Sequence, residues 1–317
     1  MNKNLNQTLE DKLIKERPNL RASTINGYML VIKRLHKVLR RGVLDTEPVD
    51  LNILRSEESI SDYMKTLKSD NTKKNNYNII VVFLMILLKE QESDINKKEV
   101  ERLITKYTKE RDILNKQYED FNKTHQKTEK QKENWLEMEE MINIANSYKK
   151  TDYQKYAVLS FHLKLPLRND LAGVKVITNK RYNKLDEETK SITNAIIKTD
   201  GQYILKLNNY KTSESYKEKV IMVPSDLTPI LNKLIRSNYT AEQPYLLINP
   251  ATKEPFKGNE YTRYFNQIFK HTGKQISTTL IRNMVLSSKY GAVTKEMKAL
   301  ASDMLHSDNM QKGYIKY

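Results

Sequence analysis

The sequence predicts a mainly α protein with a small β-sheet, in which an all-helical N-terminal module precedes an α+β domain. Apolar residues recur at helical spacing between about residues 24 and 121, and again from residue 135. Strand-like apolar runs follow at residues 174–177, 203–207 and 220–223, before helical spacing returns. With 317 residues, the chain is long enough for two domains that each bury a core.

Three long helices are predicted in the N-terminal module. The first spans residues 24–40, with Ser23 and Thr24 as candidate N-caps. The second spans residues 72–90 and contains a ten-residue apolar run, which is too short to cross a bilayer and is better explained as a buried core helix. The third spans residues 95–121. Its apolar stripe comprises Leu103, Tyr107, Leu114, Tyr118 and Phe121.

Residues 122–134 separate the two helical regions. They include no apolar residue, so they cannot contribute to a core and indicate an exposed linker. We therefore predict a helical domain at residues 1–121, a linker at residues 122–134 and a second domain at residues 135–317.

The chain carries 55 Lys and Arg against 39 Asp and Glu, a formal net charge of +16. Such a surplus most often serves a polyanion, which can be nucleic acid, an anionic membrane surface or an acidic partner. Cysteine is absent, which excludes disulfides, thiolate zinc sites and cysteine nucleophiles. The histidines are too far apart in sequence for a local zinc motif. The N-terminus resembles neither a signal nor a transit peptide, so we expect a soluble intracellular protein.

Basic residues fall on one face of the first predicted helix and open the second. In a chain with this charge, solvent exposure and phosphate contact explain such a face equally well. Two further lysines follow on a predicted hairpin of the second domain. The candidate DNA-binding residues are Lys33, Lys37, Arg40, Arg41, Lys73, Lys74, Lys217 and Lys219.

Two basic segments of the second domain carry candidate chemistry. Arg168 stands in LPLRND, a stretch predicted to be helical and apolar. A guanidinium there should be partly buried and needs an anionic partner, either a phosphate or a carboxylate such as Asp170. Lys211 stands in NNYKTSESY, at the predicted end of the first strand of a hairpin. There it either reaches a phosphate and protonates a leaving oxygen, or belongs to a solvated basic turn.

Two more segments follow near the C-terminus. Arg282 lies at the predicted start of a helix, after a serine/threonine cap in ISTTLIRN. His306 and Tyr314 are eight positions apart in LHSDNMQKGY. Alone this pair is weak evidence in a tyrosine-rich chain, but it closes an ordered series of basic residues.

In this order, the series resembles the catalytic domain of the tyrosine recombinase (phage-integrase) family. Arg168, Lys211, Arg282, His306 and Tyr314 match the family's arginine, hairpin lysine, second arginine, histidine and tyrosine. The wording LPLRND, NNYKTSESY and LHSDNMQKGYIK is similar to the branch found in large DNA viruses, virophages and related mobile elements. The helical module resembles the family's core-binding domain, so the resemblance spans nearly the whole chain.

The resemblance implies a DNA strand-breaking and rejoining activity. Tyr314 would attack a phosphodiester to give a 3′-phosphotyrosyl link and a 5′-hydroxyl end, and Lys211 would protonate the leaving oxygen. Two guanidinium groups would neutralise the phosphate oxygens, and His306 would bind one of them or assist as a base. The bond energy stays in the covalent link, so no metal, ATP or other cofactor is required. Strand exchange implies a homotetramer on paired double-stranded DNA sites.

Two positions depart from the family's pattern. Thr279 stands three residues before Arg282, where the family often has histidine, and Asp170 follows the first arginine by two positions instead of three. Thr279 therefore supplies no strong base at its position. Asp170 and Thr279 are kept as candidate supporting residues. Tyr317 is the rival nucleophile, but it lies eleven positions from His306, beyond the eight to nine usual in the family, and at the chain end.

Two other functions remain open from the residues. A type IB topoisomerase-like enzyme would use the same chemistry as a monomer without pairing sites. A non-catalytic DNA-binding protein is the alternative outside enzymes, and Thr279 is its support.

Overall fold

A computed structural model describes residues 8–40, 47–240 and 242–304. The chain divides between Gln126 and Lys127 into two compact units. This division falls inside the predicted linker, of which residues 129–133 form a short helix. The described parts are mostly helical with one four-stranded sheet, so the predicted mainly α class with a small β-sheet is confirmed.

The first unit is all-helical in its described residues. Its helices are α1 Leu9–Glu16, α2 Ala22–Leu39, α3 Glu57–Thr66, α4 Asp70–Glu90 and α5 Asp94–Lys123, with a 3-10 turn at Leu51–Arg55. The three long helices match those predicted within three residues at every boundary. The short helices α1 and α3 were not predicted, because eight and ten residues give too few helical repeats.

Helix α4 is the centre of this unit. Ser69 caps its N-terminus by accepting a hydrogen bond from the Thr72 amide. Eight of the ten residues of its apolar run are buried on several sides of the helix, against α1 and α5. The prediction of a buried core helix is therefore confirmed. Along the described stretches, no helix combines the length and apolarity needed to span a membrane.

The predicted stripe on α5 is buried only in its first half. Leu103 and Tyr107 are in the core, whereas Tyr118 and Phe121 are 49% and 37% exposed. The sequence predicts the stripe but not how much of it is buried, since α5 has 30 residues and its partner α4 has 21. At 1.5 Å per residue, the last turns of α5 extend beyond the end of α4.

The second unit combines helices on a small sheet. Its helices are α6 Glu129–Glu133, α7 Met138–Ser147, α8 Tyr153–Lys164, α9 Asn179–Asn183, α10 Glu187–Ser191, α11 Ser213–Tyr216, α12 Thr228–Asn238, α13 Glu260–Ile268 and α14 Thr278–Asp303. Its strands are β1 Lys175–Val176, β2 Ala195–Thr199, β3 Gln202–Leu207 and β4 Lys219–Met222.

The strands follow the order β1-β2-β3-β4, with β1 parallel to β2 and the remaining neighbours antiparallel. Strand β2 was not predicted, because its apolar part is only three residues long. A usable signal was present: Asp200 and Gly201, both at positive φ, form the two-residue turn to β3. The buried side of β3 packs into the main core with α7, α8, α12 and α13.

The long helix α14 passes through Gly291, which has open space around its Cα. Glycine in a helix interior costs about 1 kcal/mol relative to alanine. We expect Gly291→Ala to raise the free energy of unfolding by about 0.5–1 kcal/mol, measured by chemical denaturation. The control is Gly201→Ala, which should destabilise because Gly201 has a φ of +81°. A loss of stability in Gly291→Ala would mean that residue 291 is not helical.

Candidate active site

Arg168 lies in the connection after α8, not in a helix. Pro166 disfavours helical backbone at Leu165, which has φ −123° and ψ 86°, so α8 ends at Lys164. Arg168 then precedes a single 3-10 turn at Asn169–Leu171, and its side chain is exposed. The prediction of a helical, partly buried arginine was therefore wrong. An exposed guanidinium on a short turn is free to approach a large anion.

Asn169 joins the Arg168 turn to two other elements. Its side-chain oxygen accepts a hydrogen bond from Thr278 Oγ1 at 2.8 Å, and its Nδ2 donates to Thr262 Oγ1 at 2.9 Å. Thr278 is the first residue of α14, and Arg282 follows one helical turn later. The contact therefore holds the two arginine-bearing segments side by side, although they are more than 100 residues apart in sequence.

Asp170 lies within electrostatic reach of both arginines. Burial raises the pKa of its carboxyl group, and the positive charges of Arg168 and Arg282 oppose that rise. We call Arg168, Asp170 and Arg282 the arginine cluster. A single half-buried carboxylate among two guanidinium groups leaves the cluster with a net positive charge, which favours an additional anion.

Arg282 lies at the predicted helix start. Ser277 caps α14 through its Oγ, which accepts from the Leu280 amide at 3.2 Å, as predicted. The Arg282 side chain is half-buried, and its Nε is a buried donor without a hydrogen-bond partner among the described residues. Buried donors are normally paired, so this atom is suited to an acceptor supplied by a ligand.

His162 is a neighbour of Arg282 that the sequence did not indicate. It is fully buried on α8, and its Nε2 is 2.9 Å from the phenol oxygen of Tyr261 on α13. Burial, together with the positive charge of Arg282, lowers the pKa of His162 to about 3. The ring is therefore neutral at physiological pH and adds no charge behind the arginine cluster. No sequence signal links it to Arg282, which is 120 positions away.

Lys211 lies in the connection between β3 and β4, four residues beyond the end of β3 rather than at the strand end as predicted. Its side chain is exposed, and no described hydrogen bond or ion pair links it to the arginine cluster. The base of the connection is fixed by Asn194, whose Oδ1 accepts from the amides of Asn208 and Asn209, each at 2.9 Å. The connection therefore starts from a rigid base and presents Lys211 to solvent.

The far end of the same connection is also fixed. Tyr182 donates a hydrogen bond to Glu218 at 2.9 Å and accepts one from Asn208 at 2.8 Å, which ties the two ends together. Lys217 and Lys219 are exposed beside this bridge, and Lys217 has a positive φ of 55°. Neither Tyr182 nor Asn194 was predicted, since both act through contacts with segments that are distant in sequence.

Thr279 is exposed on the first turn of α14. It lines a polar cleft together with Ser277, Asn283, Lys130 and Gln131. His306, Tyr314 and Tyr317 lie outside the described residues, as does Arg41. The described chain ends at Met304, two residues before His306.

The basic residues predicted on the first unit differ in their surroundings. Lys33 and Lys37 are exposed on α2, and Arg40 is exposed and 3.9 Å from Asp50. Lys73 forms an ion pair with Asp70 at 3.0 Å. Lys74 is half-buried against α5, where it donates to Asn115 and lies 4.7 Å from the ring centre of Tyr118. Lys74 therefore also serves the packing of α4 on α5.

A metal site is not formed by the described residues, which contain no group of three or more His, Asp or Glu side chains arranged to hold an ion.

Asn169→Ala should weaken the arginine cluster without removing either arginine. Loss of the hydrogen bonds to Thr278 and Thr262 should lower the free energy of unfolding by about 1–2 kcal/mol, measured by chemical denaturation. The control is Asn179→Ala, because Asn179 is exposed and its side chain makes no hydrogen bond within the described chain. Equal stability of both variants would contradict a bracing role for Asn169.

Comparison with known proteins does not assign a family. No protein-family model matches the chain, and no curated protein matches its sequence. Among solved structures, the crystal structure of XerA recombinase is 13% identical, with 88% of this chain and 82% of that chain covered and a TM-score of 0.32.

Proposed function

We propose that this chain is a site-specific DNA recombinase or integrase of the tyrosine type, which cleaves and rejoins DNA strands through a 3′-phosphotyrosyl intermediate. The observation that supports this most is the arginine cluster, in which Asn169 pins the turn of Arg168 to the helix of Arg282. The net charge of +16 supports a polyanionic substrate.

In this proposal the arginine cluster binds the scissile phosphate. Attack on a phosphodiester concentrates negative charge on its non-bridging oxygens, and two guanidinium forks neutralise that charge. The unpartnered Nε of Arg282 supplies one of the donors. Asp170 orients the guanidinium groups between turnovers, since its charge interacts with both.

The covalent chemistry belongs to the C-terminal segment. The oxygen of Tyr314 forms a bond to phosphorus, the bond from phosphorus to the 5′ oxygen breaks, and Lys211 delivers a proton to that leaving oxygen. His306 contacts a phosphate oxygen or accepts the tyrosine proton. Because Asp303 lies about 32 Å along α14 from Arg282, His306 would reach the arginine cluster of another protomer in the proposed tetramer. Rejoining reverses these steps with the 5′ hydroxyl of another strand. The proposed reaction therefore consumes no ATP and uses no metal ion.

The two units would bind one duplex together. Exposed Lys33 and Lys37 of the first unit, and Lys217 and Lys219 of the second, are the proposed phosphate contacts. Pairing of two such sites requires four protomers, so we propose a homotetramer on DNA. The branch resemblance suggests a viral or virophage element as the DNA that is integrated.

Binding should be strongly salt-dependent. With six to ten phosphate contacts, we expect affinity for duplex DNA to fall roughly 10³-fold or more between about 50 and 200 mM salt. Fluorescence anisotropy with a labelled duplex measures this. An affinity that hardly changes with salt would contradict a phosphate-based interface.

The function is tested by incubating the protein with supercoiled plasmid and with DNA that carries two copies of the element's terminal sequence. Joint products that depend on two sites are the expected result. Relaxation without joint products would indicate a topoisomerase-like enzyme acting as a monomer. Binding without any nicking would indicate a non-catalytic DNA-binding protein and would overturn the proposal.

A further inference from the structure

The second half of α14 carries a row of exposed apolar side chains. Leu286, Tyr290, Val293 and Leu300 are 44–58% exposed, and Met304 is 48% exposed. Met297 lies in the same row and is half-buried. We call these six residues the α14 stripe. The Met304 amide donates to the Leu300 carbonyl at 3.0 Å, so the last member still lies on the helical path. A contiguous apolar surface of this length usually marks an interaction site.

The spacing of the α14 stripe indicates the kind of partner. Its members follow one another by four, three, four, three and four residues. This average of 3.5 residues is the repeat of helices that wind around each other, with apolar residues at the two seam positions. At 1.5 Å per residue, the stripe is about 28 Å long. The surface therefore fits another helix rather than a flat or globular partner.

We propose that two copies of this chain associate through the α14 stripe, as an antiparallel pair of helices. In this register Leu286 packs against Met304 of the second copy, Tyr290 against Leu300, and Val293 against Met297. The twofold symmetry repeats each of these three contacts, so all six residues of both copies are used. A surface that is complementary to itself under a twofold axis is what a closed dimer requires.

The charged residues beside the α14 stripe favour a second copy of this chain as the partner. They also favour an antiparallel arrangement of the two helices. The seam is flanked on one side by Lys289, Glu296 and Asp303, at seven-residue intervals. In the antiparallel register, Lys289 of each copy faces Asp303 of the other, which gives two opposite-charge pairs. The other flank carries Ser287, Thr294 and Ala301, of which Ala301 is buried. In a parallel pair the charged flank would face this uncharged flank, so no ion pair would form.

One contact in this register is unfavourable. Glu296 lies at the midpoint, where it faces Glu296 of the second copy. Removal of that repulsion should tighten the dimer, whereas a single charge reversal at Lys289 or Asp303 should weaken it. These opposite effects on the affinity of the dimer distinguish the proposed register from non-specific apolar association.

The experiment measures self-association of the full chain without DNA, by sedimentation velocity over a range of concentrations. We expect a concentration-dependent dimer that Val293→Glu abolishes and that Glu296→Gln strengthens. Lys289→Glu and Asp303→Lys should each raise the dissociation constant several-fold, and the double variant should restore it. Lys295→Glu is the matched control, since residue 295 lies on the helix side away from the seam. Circular dichroism confirms that each variant retains its helix content.

The antiparallel direction of the two helices is tested by cross-linking introduced cysteines. The chain has no cysteine of its own that would react. A short thiol cross-linker should join Glu296→Cys to itself in the dimer and leave Lys295→Cys monomeric. A wild-type chain that stays monomeric at every concentration, or a dimer indifferent to Val293→Glu and to charge reversal, would overturn the proposal. Because no DNA is present, either outcome is independent of the proposed recombinase function.

Discussion

Tyr314→Phe should eliminate the covalent protein–DNA complex and leave duplex binding unchanged. Phenylalanine keeps the ring but lacks the oxygen that would bond to phosphorus, so no phosphotyrosyl link can form. The measurement uses a labelled duplex with a nick near the cleavage site, which traps the covalent complex on a denaturing gel. Affinity measured by anisotropy on the same variant should match the wild-type value.

Tyr317→Phe is the matched control for this experiment. It removes an identical hydroxyl three residues later and should trap DNA like the wild type. If Tyr317→Phe lost trapping and Tyr314→Phe kept it, the nucleophile would be Tyr317. Covalent trapping of DNA by both variants would contradict the assignment of either tyrosine as the nucleophile.

Arg282→Lys should reduce the rate of cleavage roughly 10²–10³-fold, or about 3–4 kcal/mol of transition-state stabilisation. Lysine keeps the charge but replaces a planar fork with a point charge, so it cannot bind two phosphate oxygens at once. It also lacks the Nε donor, which has no partner within the described chain. Single-turnover cleavage of the nicked duplex measures the rate, and DNA affinity should change much less.

Arg263→Lys is the control for Arg282→Lys, because Arg263 is an exposed arginine on α13 of the same unit. Its cleavage rate should stay near that of the wild type. A rate for Arg282→Lys within about threefold of the control would contradict a bidentate phosphate contact, since loss of such a contact costs more than 1 kcal/mol.

Long elements were predictable where a pattern repeats many times. Helices α4 and α5 span 21 and 30 residues, and their apolar spacing fixed both within two residues of their ends. Strand β2 was missed because a three-residue apolar run does not distinguish strand from helix. The exposure of the last turns of α5 was not predictable, because the sequence does not state how long the packing partner is.

The sequence by itself determined the net charge of +16, the fold class and the choice of Arg168 and Arg282 as candidates. Their residue types and order carry that information, and no coordinates are needed to read it. Only the tertiary structure decided that Arg168 is exposed on a turn, that Asn169 links it to Thr278, and that His162 stays neutral behind Arg282. These facts depend on contacts between segments about 110–120 positions apart. The spacing of residues within one segment does not predict such contacts, because they form only when the core packs as a whole.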